Sequence, residues 1–246
     1  MAARIVYKMF LDLDRMRIMI RDKLRRHRRY LSYPLIISAL LFSSPVSLQI
    51  PPLLDKSLDV AGMFIAFCGQ AIRLWAWGAN PPVPGFRIYG PYSFVRHPLY
   101  VGNFLIGLGL LIIFNAPLAY VIVLPSLALL YWSITAEEEE RLEKKWGETY
   151  VEYRTQVPRF LAWRGGIVEG YQRVPFRWRQ ALSKEGESIC GLAAGAISLE
   201  VYEEVLTHGF KGTQREMLFW LLLSLLLGLL SLVLYRRKRK KKGKAR

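Results

Sequence analysis

The 246-residue chain has only two cysteines, Cys68 and Cys190, and neither lies in a C-x-x-C pair. That excludes a disulfide framework. Its three histidines, His27, His97 and His208, are scattered, so a zinc site of the usual His/Cys spacing, or any metal centre, is not expected. No Walker loop, no G-x-G-x-x-G after a strand and no G-x-S-x-G elbow occurs, which removes the common phosphate-loop and serine-nucleophile chemistries. Acidic residues are scarce as well: 19 Asp+Glu stand against 35 Lys+Arg, a formal charge of +16. Such a balance can signal nucleic acid. Here, however, the basic tail 236–246 abuts a hydrophobic run, where a polybasic stretch meets anionic lipid headgroups, and no nucleic-acid partner is expected.

What the chain does have is apolar length. Hydrophobic residues make up 52% of it and are concentrated in runs, while the charge sits between them. That is the distribution of a multi-pass membrane protein. About 20 apolar residues cross the hydrocarbon core as a helix. The stretches 31–50, 58–78, 99–114, 118–134 and 217–235 approach that length. The first is broken by Pro34 and Pro45, and the last is the most apolar. Only Asn115-Ala116-Pro117 separates the third from the fourth, so these two form a tight helical hairpin. Residues 1–30 carry Val6, Met9, Phe10, Leu13, Met16, Ile20 and Leu24 at three- and four-residue steps among Arg and Lys, the pattern of a helix lying in the membrane interface. The charges there leave no apolar core for a cleavable signal, so this segment is expected to be retained. Four regions result: the interfacial helix 1–30, a membrane core 31–163, a charged extension 164–216, and the last span with its basic tail, 217–246. An apolar patch at 189–199 is too short to cross and reads as interfacial or packed.

Two segments carry chemistry. Gly90-Pro-Tyr-Ser-Phe-Val-Arg-His-Pro-Leu-Tyr-Val-Gly102 opens the hairpin. Pro98 suits the first turn of a helix, where N–H groups lack partners and favour an anion. Arg96 and His97 add donors just before it, and Gly102, one turn in, lets a ligand or a neighbouring helix approach the backbone. An ordinary basic helix start at a membrane boundary accounts for these residues equally well. After the hairpin comes the run Glu137–Glu140. Glu137 has Arg141 and Glu140 has Lys144 four residues on, the favourable order for helical ion pairs. Glu138 and Glu139 have no such cation; Thr135-x-x-Glu138 forms a capping box if a helix starts there.

Taken together, R-H-P-x-Y-x-G at the hairpin, then E-E-x-x-L, then G-x-x-Y-x-x-Y and Val157-Pro-Arg-Phe160, resemble the isoprenylcysteine carboxyl methyltransferase family and its phospholipid N-methyltransferase relatives. The resemblance covers about residues 58–163. It implies an all-α, polytopic integral membrane enzyme of about five transmembrane helices that binds S-adenosylmethionine in a cytosolic segment and methylates a lipid-soluble acceptor. That acceptor is a prenylcysteine carboxylate, a phospholipid amine or a related isoprenoid or lipid. The cofactor site it implies comprises Arg96, His97, Pro98, Tyr100, Gly102, Glu138, Glu139, Leu142 and Tyr150.

Methyl transfer from a sulfonium is an in-line displacement in which positioning supplies much of the rate. A carboxylate acceptor needs no base, whereas an amine could use Glu139. Arg73, inside a span by sequence, and Arg159 are candidates to hold an acceptor carboxylate or phosphate; Arg73 is equally able to snorkel. Rival readings are an NADPH-dependent sterol-reductase-like enzyme and a non-catalytic scaffold docked to anionic lipid by its basic ends. With four spans before the cytosolic Glu segment, a full fifth crossing exports the tail 236–246, against its charge.

Overall fold

The computed structural model describes residues 50–79, 86–161, 175–208 and 218–230, together with Val233. The interfacial helix expected at 1–30, nearly all of the first span at 31–50 and the tail 236–246 lie outside them. Among the described residues the chain is helical, without strands. The helices are α1 (Pro52–Gly78), a 3₁₀ turn (Gly90–Ser93), α2 (Pro98–Phe114), α3 (Pro117–Trp146), α4 (Glu148–Gln156), α5 (Trp178–His208) and α6 (Leu218–Leu230).

Proline sets the helix starts. Pro52, Pro98 and Pro117 occupy the first turns of α1, α2 and α3, where a missing N–H costs nothing. Between α2 and α3 the chain reverses at Asn115, whose φ of 43° and ψ of 49° are left-handed, a conformation asparagine tolerates. Down the hairpin, Gly107 faces Leu127 and the rings of Tyr100 and Tyr131 meet at 5.5 Å. The turn itself is packed by Leu111, Phe114, Ala116, Ala119 and Val123.

The acidic run differs from one expectation. No helix begins at Thr135: α3 continues unbroken from the apolar segment through the four glutamates to Trp146. Thr135 is buried, and its Oγ1 donates to the Tyr131 carbonyl at 2.8 Å, so the capping box does not form. Where α3 ends, Gly147 adopts φ 55° and ψ −131°, a region that glycine alone enters without strain, and α4 starts at the next residue.

Small residues bring α1 and α2 together as antiparallel neighbours. A Cβ placed on Gly62 would lie 2.6 Å from the Gly109 carbonyl oxygen, and one on Gly69 would lie 2.6 Å from that of Gly102. Contact this close is how helices associate where lipid removes the hydrophobic drive. The patch 189–199 is part of the 31-residue helix α5, which packs on both α1 and α2. Only the patch stood out in the sequence, because Lys184, Glu185 and Glu187 precede it; Glu185 is fully buried.

By length and composition, α1 and α3 are able to cross a membrane, while α2 and α6 are apolar but shorter. Val60, Phe64 and Phe67 on α1, Val121 and Leu129 on α3, and nearly every large residue of α6 point outward.

Candidate active site

One end of this bundle gathers the motif residues. The return segment Val157-Pro-Arg-Phe160 runs beside the chain entering α2: Arg96 N–H donates to the Pro158 carbonyl at 2.9 Å and His97 N–H to that of Arg159 at 3.3 Å. Tyr153 Oη donates to the Tyr92 carbonyl at 2.7 Å and ties α4 to the 3₁₀ turn. Phe86 fills the space between, edge-on to Tyr150 at 5.4 Å and to Trp146 at 6.0 Å. Apolar packing thus fixes two backbone segments that are separated by the whole hairpin in sequence.

Glu139 is the electrostatic centre. It is 4% exposed, and His97 beside it is 5% exposed. His97 Nε2 lies 3.0 Å from Glu139 Oε1, Arg159 Nε donates to the same oxygen at 3.0 Å, and Arg159 also donates through Nη2 to Oε2. Arg96 Nη1 stands 3.3 Å from Oε1. Burial alone would raise the Glu139 pKa. The hydrogen bonds from His97 and Arg159 and the charges of Arg96 and Arg159 outweigh it and hold the carboxyl at about 2, well outside the apolar part of α3. Arg159 also lies over the Trp132 ring, 4.6 Å from its centroid. Glu138 is different: its side chain is about half exposed and 3.8 Å from His97 Nδ1. Glu137 pairs with Arg141 one turn on, as its spacing implies.

Against this cluster lies a cavity of about 370 Å³, within the roughly 300–1,000 Å³ of small-molecule sites. Arg96, His97, Tyr100, Glu138, Leu142 and Tyr150 line it, joined by Trp77, Phe86, Arg87, Tyr92, Leu99 and Tyr153. Three buried polar atoms of its wall residues, Arg96 Nε, Arg96 Nη1 and Tyr150 Oη, make no hydrogen bond of good geometry, although the Arg96 guanidinium and the Tyr150 hydroxyl interact with each other. The 3.3 Å approach of Nη1 to Glu139 is an ion pair whose direction misses hydrogen-bond geometry. Leaving such donors unmade costs about 1–3 kcal/mol each, so they point to a ligand that accepts from them. Burial, helped by the Glu139 charge, pushes the Tyr150 hydroxyl up to about 12, so it stays a neutral donor.

Other residues singled out from sequence sit elsewhere. Pro98 is buried as the first residue of α2. Gly102 faces α1 and not the cavity; a Cβ there would lie 2.5 Å from Arg73 Cγ. Arg73 is engaged by Glu185, through Nε at 2.8 Å and Nη2 at 2.9 Å, and by Asn103. Two N–H groups at the α2 entrance, those of Tyr100 and Val101, are taken by the His97 carbonyl, which reduces its appeal to an anion. Sequence reading missed Trp77, Phe86, Arg87 and Tyr92. Arg87 stacks 4.0 Å over Trp77 and donates to Tyr92 Oη at 3.1 Å. The aromatic and basic residues of the Pro/Gly-rich loop were the available signal.

The family model for phospholipid methyltransferase matches residues 85–149, from the loop ahead of the 3₁₀ turn to the start of α4. It contains the R-H-P-x-Y-x-G and E-E-x-x-L motifs and most of the cavity wall, and it supports an enzyme that methylates a lipid-type substrate. No curated protein and no solved structure matches the chain.

Proposed function

We propose that this chain transfers a methyl group from S-adenosylmethionine to a lipid-soluble acceptor at the cytosolic boundary of a membrane, and that it is a multi-pass integral membrane protein. The observation that carries the proposal is the set of buried polar atoms without a well-formed hydrogen bond, Arg96 Nε, Arg96 Nη1 and Tyr150 Oη, in the wall of a cavity most of whose lining lies in the family-matched segment, Tyr150 standing just beyond its end. A zwitterionic, hydroxyl-rich amino-acid nucleoside fits that donor set. Its carboxylate suits the Arg96 guanidinium, its hydroxyls suit Tyr150 and Glu138, and its ring suits the faces of Phe86 and Tyr153. When bound, S-adenosylmethionine supplies an electrophilic methyl carbon, which leaves sulfur as the acceptor's lone pair bonds to it.

The chain's own residues then position and exclude water. His97 lines the cavity and is held from behind by Glu139, which does not line it; with both carboxylate oxygens committed, Glu139 serves as a positioning group and not as a base. A carboxylate acceptor needs no proton removed. For an amine acceptor, Glu138 is the cavity carboxylate able to take the proton. The acceptor enters beside Trp132 and Phe160, whose rings pack at 6.2 Å where Trp132 faces outward, and Arg159 is suited to its anionic group. The basic ends of the chain bind anionic lipid.

Incubation with methyl-labelled S-adenosylmethionine and a lipid extract tests the reading. Label is expected in a lipid or lipidated product. Stabilisation of the protein by NADPH and not by S-adenosylmethionine would transfer the site to reductase chemistry; stabilisation by neither would leave a scaffold.

A further inference from the structure

Helix α5 lies outside the family-matched segment and outside every span expected from hydropathy. Its contacts nevertheless follow α1 along its length in one antiparallel register. Gln180 donates to the Trp77 carbonyl at 3.0 Å, and Glu185 accepts from Arg73 and from Gln70. Ser188 donates to Gln70 at 3.1 Å, and Glu200 is within electrostatic reach of Asp59. Along α2 the order is parallel: Gly195 lies at Leu110 and Tyr202 at Phe114. A helix of 31 residues is about 46 Å long at 1.5 Å per residue, more than the roughly 30 Å of hydrocarbon.

We infer that α5 crosses the membrane beside α1, and that α5 and α6 form a transmembrane hairpin returning the basic run 236–246 to the face that holds the cavity. A helix docked in register along a spanning helix spans with it. Of the charges that conceal α5 from hydropathy, Glu185 is fully buried and accepts from Arg73 and Gln70, the paired state that intramembrane carboxylates require, and Lys184 lies over the Trp77 ring at the cavity end of α1. Ser224 on α6 meets Ser198 at 2.6 Å and donates to the Ala194 carbonyl at 3.2 Å, which seats α6 against α5. Only residues 209–217 connect the two helices, and a link that short joins antiparallel neighbours. With α5 counted, two crossings follow the acidic segment. The tail then lies on the same face as the cavity, and the charge conflict in the sequence expectation disappears. The inference does not depend on the methyltransferase reading.

The test uses the full chain in sealed membrane vesicles, with Cys68→Ser and Cys190→Ser and a membrane-impermeant maleimide. Single cysteines are introduced as Lys145→Cys at the cavity end of α3, Thr213→Cys in the link and Lys242→Cys in the tail. Labelling of positions 145 and 242 from one face and 213 from the other is the expected result. Labelling of 242 from the face opposite 145 overturns the inference, as does labelling of all three from one face.

Discussion

Replacing Glu139 with glutamine removes one charge and leaves the shape of the site in place. In the folded chain the Glu139 carboxyl titrates at about 2, against an ordinary value of 4.5. Its folded pKa is depressed, so its contribution to stability is fully present above pH 4.5 and is lost as pH falls through 2. The difference corresponds to about 3 kcal/mol at neutral pH, falling to about 1 kcal/mol at pH 3. An independent route gives a similar size: breaking a buried charge pair by removing one partner costs about 3–5 kcal/mol, and here Arg96 and Arg159 would both lose their counter-ion. Glu139→Gln is therefore expected to unfold at lower temperature than the parent at pH 7, with the gap narrowing by more than half at pH 3. Thermal unfolding in detergent at both pH values measures it. An equal melting temperature at pH 7, or a gap that does not shrink in acid, refutes the account of Glu139 as the anchor of the cationic cluster.

Tyr150→Phe deletes a buried hydroxyl that makes no hydrogen bond of good geometry in the fold and interacts closely with Arg96, so stability is expected to change little while S-adenosylmethionine affinity falls about fivefold, one hydrogen bond's worth, read by calorimetry. Glu185→Ala leaves the half-buried Arg73 without its carboxylate and is expected to cost about 3 kcal/mol; the double replacement Arg73→Met with Glu185→Leu is expected to recover most of it in the same unfolding assay. Gly147→Ala meets no neighbouring atom, yet its backbone conformation is expected to cost about 1–3 kcal/mol, a strain that substitution at exposed Lys144 does not share.

Part of the cavity lining was legible in the sequence through its motifs. Arg96, His97 and Tyr100 stand at the start of an apolar helix, where spacing alone equally fits an ordinary basic helix start, and it is the family resemblance that joined them to Glu138, Leu142 and Tyr150, with which they line one cavity. The capping role for Thr135 failed because the apolar and acidic halves of α3 are one helix, and no residue between them stops it. Trp77, Phe86 and Arg87 escaped because their stacking depends on how the end of α1 meets a loop, which no local spacing encodes. Arg73 was recognised as an unusual charge within a span, but its partner Glu185 lies 112 residues away. That partner also hid α5: a carboxylate neutralised by pairing looks, to any hydropathy reading, like one that forbids a membrane.

Calorimetric titration of the purified protein in detergent with S-adenosylmethionine tests the central claim most directly, run beside Arg96→Ala and the control Glu137→Gln, a residue that does not line the cavity. The account expects saturable one-site binding by the parent and by Glu137→Gln, whose lost pair is worth only a few tenths of a kcal/mol. It expects at least tenfold weaker binding by Arg96→Ala. No binding by the folded parent, or the same affinity in Arg96→Ala, would contradict it.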